Sequence, residues 1–372
     1  MNVAPAIGIL LLTSLLSATA RAGADAGGAE FAEIDRLYQE KCAECHHPNR
    51  VGISAPPLLA ELFGHKSDAA LIRAVRDGLP ATKMPAYPDL SEAQLEEMVA
   101  YMRQPTEVEW GPGDILASLA REPAPERAPP NAGDLENLTA VVERGTAQVW
   151  LMENEEILDK FPFSNVHGGI KFTSGGERIY VPSRDGWVGR YDMGKGYFGR
   201  VRACVNLRNI ALSGDGSHLV VASWLPQSLI ILDAETMEPV ETIPVDGKIS
   251  AIYQLYSRNA AVFTLRDRPL LGILDMEDFS LEWRKLDFPV EDFFIGPFEK
   301  IIVGTSRKGT VLAAYDLETQ AQVFSNPVEG FPHLFSAALW YHDGEFFFAT
   351  CHIEATYISV WRMYDWKLVA QV

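Results

Sequence analysis

Residues 165–193 read NVHGGIKFTSGGERIYVPSRDGWVGRYDM. Short runs rich in Val, Ile, Tyr, Phe and Trp alternate there with the turn signals SGG and RDG, the pattern of short antiparallel strands. The same texture starts near residue 137 and continues through further turns such as SGDG and HDG. Within it, two apolar residues followed by an acid recur: WLME at Glu153, RYD at Asp192, ILD at Asp233, ILD at Asp275, AYD at Asp316 and MYD at Asp365. The consecutive spacings are 39, 41, 42, 41 and 49 residues. A period of about 40 residues with about four strands per unit marks the blades of a β-propeller. A β-sandwich would need six such marks to fall at this spacing by chance. Residues 135–372 therefore predict an all-β propeller of which about five to six blades are marked. The last mark lies close to Val372, so either the ring closes early or the array is an incomplete copy of a longer one.

Upstream the periodicity changes. Phe31, Ile34, Leu37 and Tyr38 recur at helical spacing over residues 30–45, and DAALIRAVRD (68–77) reads as a second helix with Asp68 as its cap. A third starts at Ser91, with Gln94 in the capping-box position, and runs through Leu95, Met98, Val99 and Met102 to a stop at Pro105. Residues 30–104 thus form a small all-α domain. The Pro- and Gly-rich stretch 105–134 has the composition of a linker.

The helical domain carries Cys42-Ala-Glu-Cys45-His46, a CxxCH motif. Two thiols at this spacing add to the vinyl groups of a porphyrin and the adjacent imidazole reaches the iron, so the motif predicts one covalently attached c-type heme. A zinc site would need further ligands nearby, and only His47 and His65 are candidates. The sixth iron ligand is expected from the loop before the third helix, where Met84 sits in Lys83-Met84-Pro85. A thioether there raises the reduction potential and suits electron transfer; His65 is the alternative. Met98 and Met102 read as core.

The chain of 372 residues has a formal charge of −18, which argues against nucleic acid or an anionic membrane surface as the main partner. The apolar run 6–19, followed by Ala18, Ala20 and Ala22, predicts a signal peptide over 1–22 although no Lys or Arg precedes it. Together with heme attachment this points to the periplasm, and no later stretch reads as a membrane span. Cys204 and Cys351 remain outside the motif and read as free buried thiols, with a disulfide between them neither supported nor excluded. His167 starts a strand, while His333 and His352 fall near strand ends, where propellers place their channel-lining residues. His218 and His342 lie in turn sequences and read as solvated. No Ser-His-Asp spacing, Walker loop or dinucleotide fingerprint is present.

From CAECH to the end, the chain resembles the cytochrome cd1 family, in which a heme c domain precedes an eight-bladed propeller carrying non-covalent heme d1. The stretches carrying the resemblance are DLENLTAVVERGTAQVWLME, then NVHGGIKFTSGGERIYVPSRDGWVGRYDM, then VVASWLPQSLIILDAETMEPV. The resemblance implies that His167 is the proximal ligand of the d1 iron, that Arg184 and Arg208 hold d1 carboxylates, and that Trp224 lies beside the pocket. Cytochrome cd1 nitrite reductases carry two distal histidines; the first is absent from FPVEDFFIG (288–296), and His333, matching the second, is followed by Leu-Phe-Ser-Ala. This departure is closer to the branch that finishes heme d1 biosynthesis, the dihydro-heme d1 dehydrogenases, which desaturate one propionate while heme c accepts electrons. There His333 would serve as base, with Glu291, Asp292 or His352 as substitutes. The resemblance also implies a d1 precursor as substrate, a soluble electron acceptor, and a cytochrome cd1 nitrite reductase as recipient of the product. A nitrite reductase with an altered distal pocket and a non-enzymatic d1 carrier are the alternative readings.

Overall fold

The computed structural model describes residues 31–53, 55–64, 66–80, 82–121, 133–167, 169–306 and 310–372. The expected leader (1–22) and His65 lie outside the described residues. The chain divides into two compact units, one of residues up to Glu44 with Leu58–Thr106, the other of Cys45–Pro57 with Glu107–Val372.

The first unit is helical. α1 (Ala32–Lys41), α3 (Ala60–Phe63), α4 (Asp68–Asp77) and α5 (Glu92–Met102) lie in it, and α2 (Ala43–His46) spans the division at Glu44. Its core joins Ile34 and Tyr38 of α1 to Leu71 and Val75 of α4 and to Leu95, Met98, Val99 and Met102 of α5. Full burial of side chains this size is worth about 1.5–3 kcal/mol each. The two methionines of α5 are therefore packing residues. The capping box forms, with Ser91 accepting from the Gln94 amide and Gln94 accepting from Ser91. The cap of α4 is Ser67 rather than Asp68; its hydroxyl accepts from the Ala70 amide, and Asp68 is the first helical residue.

The loop after α4 is tightly held. Gly78 has φ +70°, and a Cβ there would lie 2.9 Å from the Met84 carbonyl oxygen and from backbone atoms of Pro85 and Ala86. Only glycine fits this close approach in this conformation. Further along, the Tyr87 amide bonds to the carbonyls of Val75 and Arg76, and its hydroxyl donates to the Lys41 carbonyl at 2.7 Å.

Among the described residues the second unit shows six antiparallel sheets, covering 138–162, 171–202, 206–244, 249–285, 292–327 and 338–371. Strands follow one another across each sheet in chain order, the meander of propeller blades. The recurring acid of the sequence caps the turn between the last two strands of a blade. Asp233 Oδ1 accepts from the Glu235 and Thr236 amides, Asp275 Oδ1 from Glu277 and Asp278, and Asp316 Oδ1 from Glu318 and Thr319. These are Asx turns, which fix the hairpin and explain why an acid returns with each blade. Glu153 plays a different part, accepting from the Gly133 and Asp134 amides.

Part of the stretch with linker composition is ordered. α6 (Pro112–Ser118) places Ile115 in a core with Val188, Val201, Leu219 and Ile230, and Trp110 packs against it. Ala120 and Arg121 then add a fifth strand to the second sheet, pairing with Arg200 and Gly199. A Cβ on Gly199 would stand 2.2 Å from the Ala120 carbonyl, so this pairing requires glycine. Cys204 is buried as expected, but Cys351 is exposed, and both are free thiols. Among the described residues no helix is long and apolar enough to cross a membrane.

Candidate functional site

The SRDG turn that follows the strand Arg178–Pro182 carries Arg184, and antiparallel pairing of Val166 with Ser183 brings His167 beside it. Arg184 Nη2 lies 3.1 Å from His167 Nε2. A guanidinium can only donate, so this imidazole is neutral with Nε2 as acceptor. Burial, then the charges of Arg184, Arg208 and Arg144, push the His167 pKa down to about 4.

Arg184 is one of three guanidinium groups around Trp224. The carbons of Arg184, Arg208 and Arg266 lie 5.2, 5.6 and 5.3 Å from its ring centre. The indole is fixed by donation from Nε1 to the Ile249 carbonyl at 2.6 Å, and Arg208 Nε donates to the Ser250 carbonyl. Burial and mutual repulsion pull Arg184 and Arg208 down to about 10, so both stay charged at neutral pH. Burial also lowers the pKa of Lys171, which sits 5.7 Å from the Tyr253 ring centre. Arg266 is balanced by Glu291 at 3.1 Å. Cations held this close, Arg208 buried and Arg184 and Arg266 partly so, cost free energy unless an anion joins them, so the arrangement is suited to a flat ligand bearing several carboxylates.

Arg208 also lies 5.0 Å from the Phe335 ring, which carries the cluster toward the loop 332–337. His333 is half-buried there, with Nδ1 3.2 Å from Ser336 Oγ and 3.7 Å from Asp292 Oδ2. Asp292 opens the inner strand Asp292–Ile295 and is only 2% exposed. His352, a substitute base in the sequence reading, is tied at both nitrogens, Nδ1 to the Glu329 carbonyl at 2.6 Å and Nε2 to Ser359 Oγ at 2.8 Å. It is a structural histidine. His342 is exposed, whereas His218 packs edge-on against Phe279 at 5.1 Å and so is not simply solvated.

The structure thus brings together His167, Arg184, Arg208 and Trp224, and links Arg208 through Phe335 to His333. Sequence reasoning missed Arg266 and Lys171. Arg266 shares TLRDRP with Asp267 and Arg268, and Lys171 stands alone in GGIKF; in such turn and strand sequence a cation reads as surface charge.

The CxxCH segment is built locally. Cys42 follows α1, and Cys45 and His46 close the short helix α2. Amides of Ile53 and Ala55 bond to the Cys45 carbonyl, and the Gly52 amide bonds to the His46 carbonyl. His46 Nδ1 lies 2.7 Å from the Pro56 carbonyl, so it is the donor and Nε2 keeps its lone pair. Burial lowers the His46 pKa, which favours the neutral ring. A metal-ligating imidazole is oriented in this way by a partner on its other nitrogen. Arg202 donates to the Val51 and Gly52 carbonyls of the same loop, the latter at 2.7 Å. Met84 is half-buried, with its amide on Thr82 Oγ1 at 3.1 Å.

Residues 133–285 match the Cytochrome D1 heme domain model, and residues 29–102 match the model for cytochrome c oxidase, cbb3-type, subunit III. Over 98% of its length the chain is 34% identical to the dihydro-heme d1 dehydrogenase of Pseudomonas aeruginosa, covering 76% of that protein. Among solved structures, dihydro-heme d1 dehydrogenase NirN in complex with DHE superposes with a TM-score of 0.84 at 33% identity, over 91% of this chain and 77% of that one. A functionally unknown protein from Desulfotomaculum acetoxidans shares the fold alone, with a TM-score of 0.53 and 11% identity over 63% of this chain and 79% of its own.

Proposed function

The chain belongs to the dihydro-heme d1 dehydrogenase family, and from that premise we propose that it oxidises the dihydro precursor of heme d1 at one propionate. The CH2–CH2 unit becomes CH=CH, releasing two protons and two electrons. The observation that carries this reading is the trio of guanidinium groups around Trp224, with a neutral histidine at its edge.

In this reading, residues 135–372 bind the substrate and residues 30–104 serve electron acceptance. Arg184 and Arg208 take carboxylates of the macrocycle, each able to bind bidentately, and Arg266 adds a third cation. Trp224 offers a flat face. His167 is the iron ligand of the bound substrate; its Nε2 is then released from Arg184, which turns to a carboxylate. His333 receives one proton from the propionate side chain, and the other leaves to solvent.

Cys42, Cys45 and His46 would hold heme c, and Met84 would supply a further ligand to its iron. When bound, heme c supplies one-electron acceptance. Because the reaction releases two electrons and one CxxCH motif is present, a soluble acceptor must collect them during turnover. A c-type attachment motif behind the apolar run 6–19 supports a periplasmic reaction, with a cytochrome cd1 nitrite reductase as recipient of the product.

The test is anaerobic mixing of the oxidised heme c protein with dihydro-heme d1 under visible spectroscopy. Reduction of heme c alongside the mature d1 spectrum is expected. A shift on binding with neither conversion nor heme c reduction would favour a carrier.

A further inference from the structure

Arg202 ends the strand Gly196–Arg202 and is 4% exposed. A guanidinium stays charged throughout the working pH range, yet its donors here end on backbone carbonyls. Nη1 donates to Gly52 at 2.7 Å, Nη2 to Val51, and Nε to Asp185 at 3.0 Å. The Asp185 carboxylate itself is engaged by Asn165 Nδ2 at 2.8 Å. The Trp110 ring covers the guanidinium, with its centre 4.8 Å from Cζ. The backbone of Arg202 is pinned as well: its amide donates to Ser118 Oγ at 2.8 Å, and its carbonyl accepts from Trp110 Nε1 at 3.1 Å. Burying a cation is less favourable than burying an apolar side chain of similar size. What the guanidinium adds is geometry, because one planar fork fixes three carbonyls at once.

Those carbonyls lead to both sites. Val51 and Gly52 lie in the loop that orients His46. The Gly52 amide bonds to the His46 carbonyl at 2.8 Å, and the Ile53 and Ala55 amides bond to the Cys45 carbonyl at 3.0 and 3.1 Å. The Pro56 carbonyl accepts from His46 Nδ1. The loop is drawn tight: a Cβ on Gly52, at φ +81°, would stand 2.6 Å from the Ala55 carbonyl oxygen. At the other end, Asp185 directly follows Arg184 in the SRDG turn, and Arg184 Nη2 meets His167 Nε2. Loop and turn belong to the same compact unit.

We propose that Arg202 is a positioning residue with two ends. One sets the loop that orients His46 as an iron ligand; the other holds the turn that presents Arg184 to a carboxylate of the macrocycle. The second end rests on the reading of the propeller site given above, the first only on the CxxCH motif. An imidazole whose Nδ1–H keeps a firm carbonyl acceptor is the more basic ligand and favours the oxidised iron. Loosening the loop weakens that bond and raises the heme c potential. Loosening the turn leaves Arg184 less well aimed and weakens substrate binding.

Arg202→Lys separates geometry from charge. It keeps the cation but replaces the fork with one compact ammonium, which cannot span loop and turn together. In the heme c holoprotein without substrate, the midpoint potential should rise, changing the ratio of reduced to oxidised heme at the wild-type midpoint by about 10-fold. In the fully reduced holoprotein, a spectral titration with dihydro-heme d1 should show affinity lowered by about 3- to 10-fold. An arginine that only supplied charge or filled space would move neither quantity. An unchanged potential in folded Arg202→Lys would overturn the loop role, and an unchanged affinity would overturn the role at Arg184. Failure of dihydro-heme d1 to bind the wild type would overturn the functional reading and the Arg184 role, while the potential would still decide the loop role. Should Arg202→Lys not fold, amide exchange in the wild-type holoprotein carries the test. The Gly52, Ile53 and Ala55 amides should exchange as slowly as those of the sheet 171–202. Exchange at the rate of an unheld loop would overturn the proposal.

Discussion

Cys42, Cys45 and His46 lie within five consecutive residues, and the imidazole is aimed by a carbonyl ten residues downstream, that of Pro56. Arg184, Arg208, Arg266, Asp292 and His333 come instead from successive blades and the loops after them. On the proposed reading the first site is a local motif in which each member has a separate covalent or coordinating task. The second, on that reading, is a distributed surface on which several cations share one task. The difference teaches where a single substitution is absolute and where it is only partial.

The largest effect tests the local site. Replacing both Cys42 and Cys45 by Ser should remove covalent heme entirely, seen as loss of heme stain on a denaturing gel, while dihydro-heme d1 still binds the propeller. Persistence of covalent heme would break the assignment of the motif. At the distributed site, Arg208→Ala should weaken substrate binding about 10- to 100-fold in an anaerobic spectral titration, in line with loss of one charge-assisted contact. If Arg208→Ala abolished binding as fully as the cysteine changes abolish attachment, the sharing of the task among cations would be wrong.

Gly78→Ala is smaller and returns to the first unit. The new Cβ meets backbone of residues 84–86 at φ +70°, so a destabilisation of about 1–3 kcal/mol is expected. Thermal unfolding measures it, and weakening of the iron–sulfur absorption band in the red would show that Met84 has shifted. The smallest effect is pH-dependent. His167 has a folded pKa of about 4, below its ordinary 6.5. Between those values the unfolded chain binds a proton that the folded chain refuses, so stability falls as pH drops through that window and is unaffected above it. The ring is partly exposed to water, which keeps the loss modest. Comparing the Tm of the wild type and His167→Gln at pH 7 and pH 5 should show a smaller decline in the variant.

The same contrast explains what could be read from the chain alone. CAECH is contiguous, so its meaning survives in one dimension. The blade repeat is legible because Asp233, Asp275 and Asp316 each cap an equivalent turn. Arg184, Arg208 and Trp224 could be nominated only through the family resemblance, because nothing local distinguishes them. Arg266 and Lys171 escaped notice because convergence on Trp224 and Tyr253 is a property of neighbouring blades. Asp292 was visible as an acid but not as the partner of His333, since 41 residues separate them in sequence. Proline-rich composition concealed α6, whose Ile115 and the nearby Trp110 are buried by strands that come much later.

The chain-order meander of the sheets also bears on how the molecule is made. Each hairpin joins strands that leave the ribosome within moments of each other, so little loop entropy is lost when they pair. The strand at Ala120 and Arg121 is an exception, because its partners are Arg200 and Gly199. During synthesis this dipeptide emerges with its backbone groups unpaired and must wait for some eighty residues before it can be covered. Slow translation would lengthen that exposure.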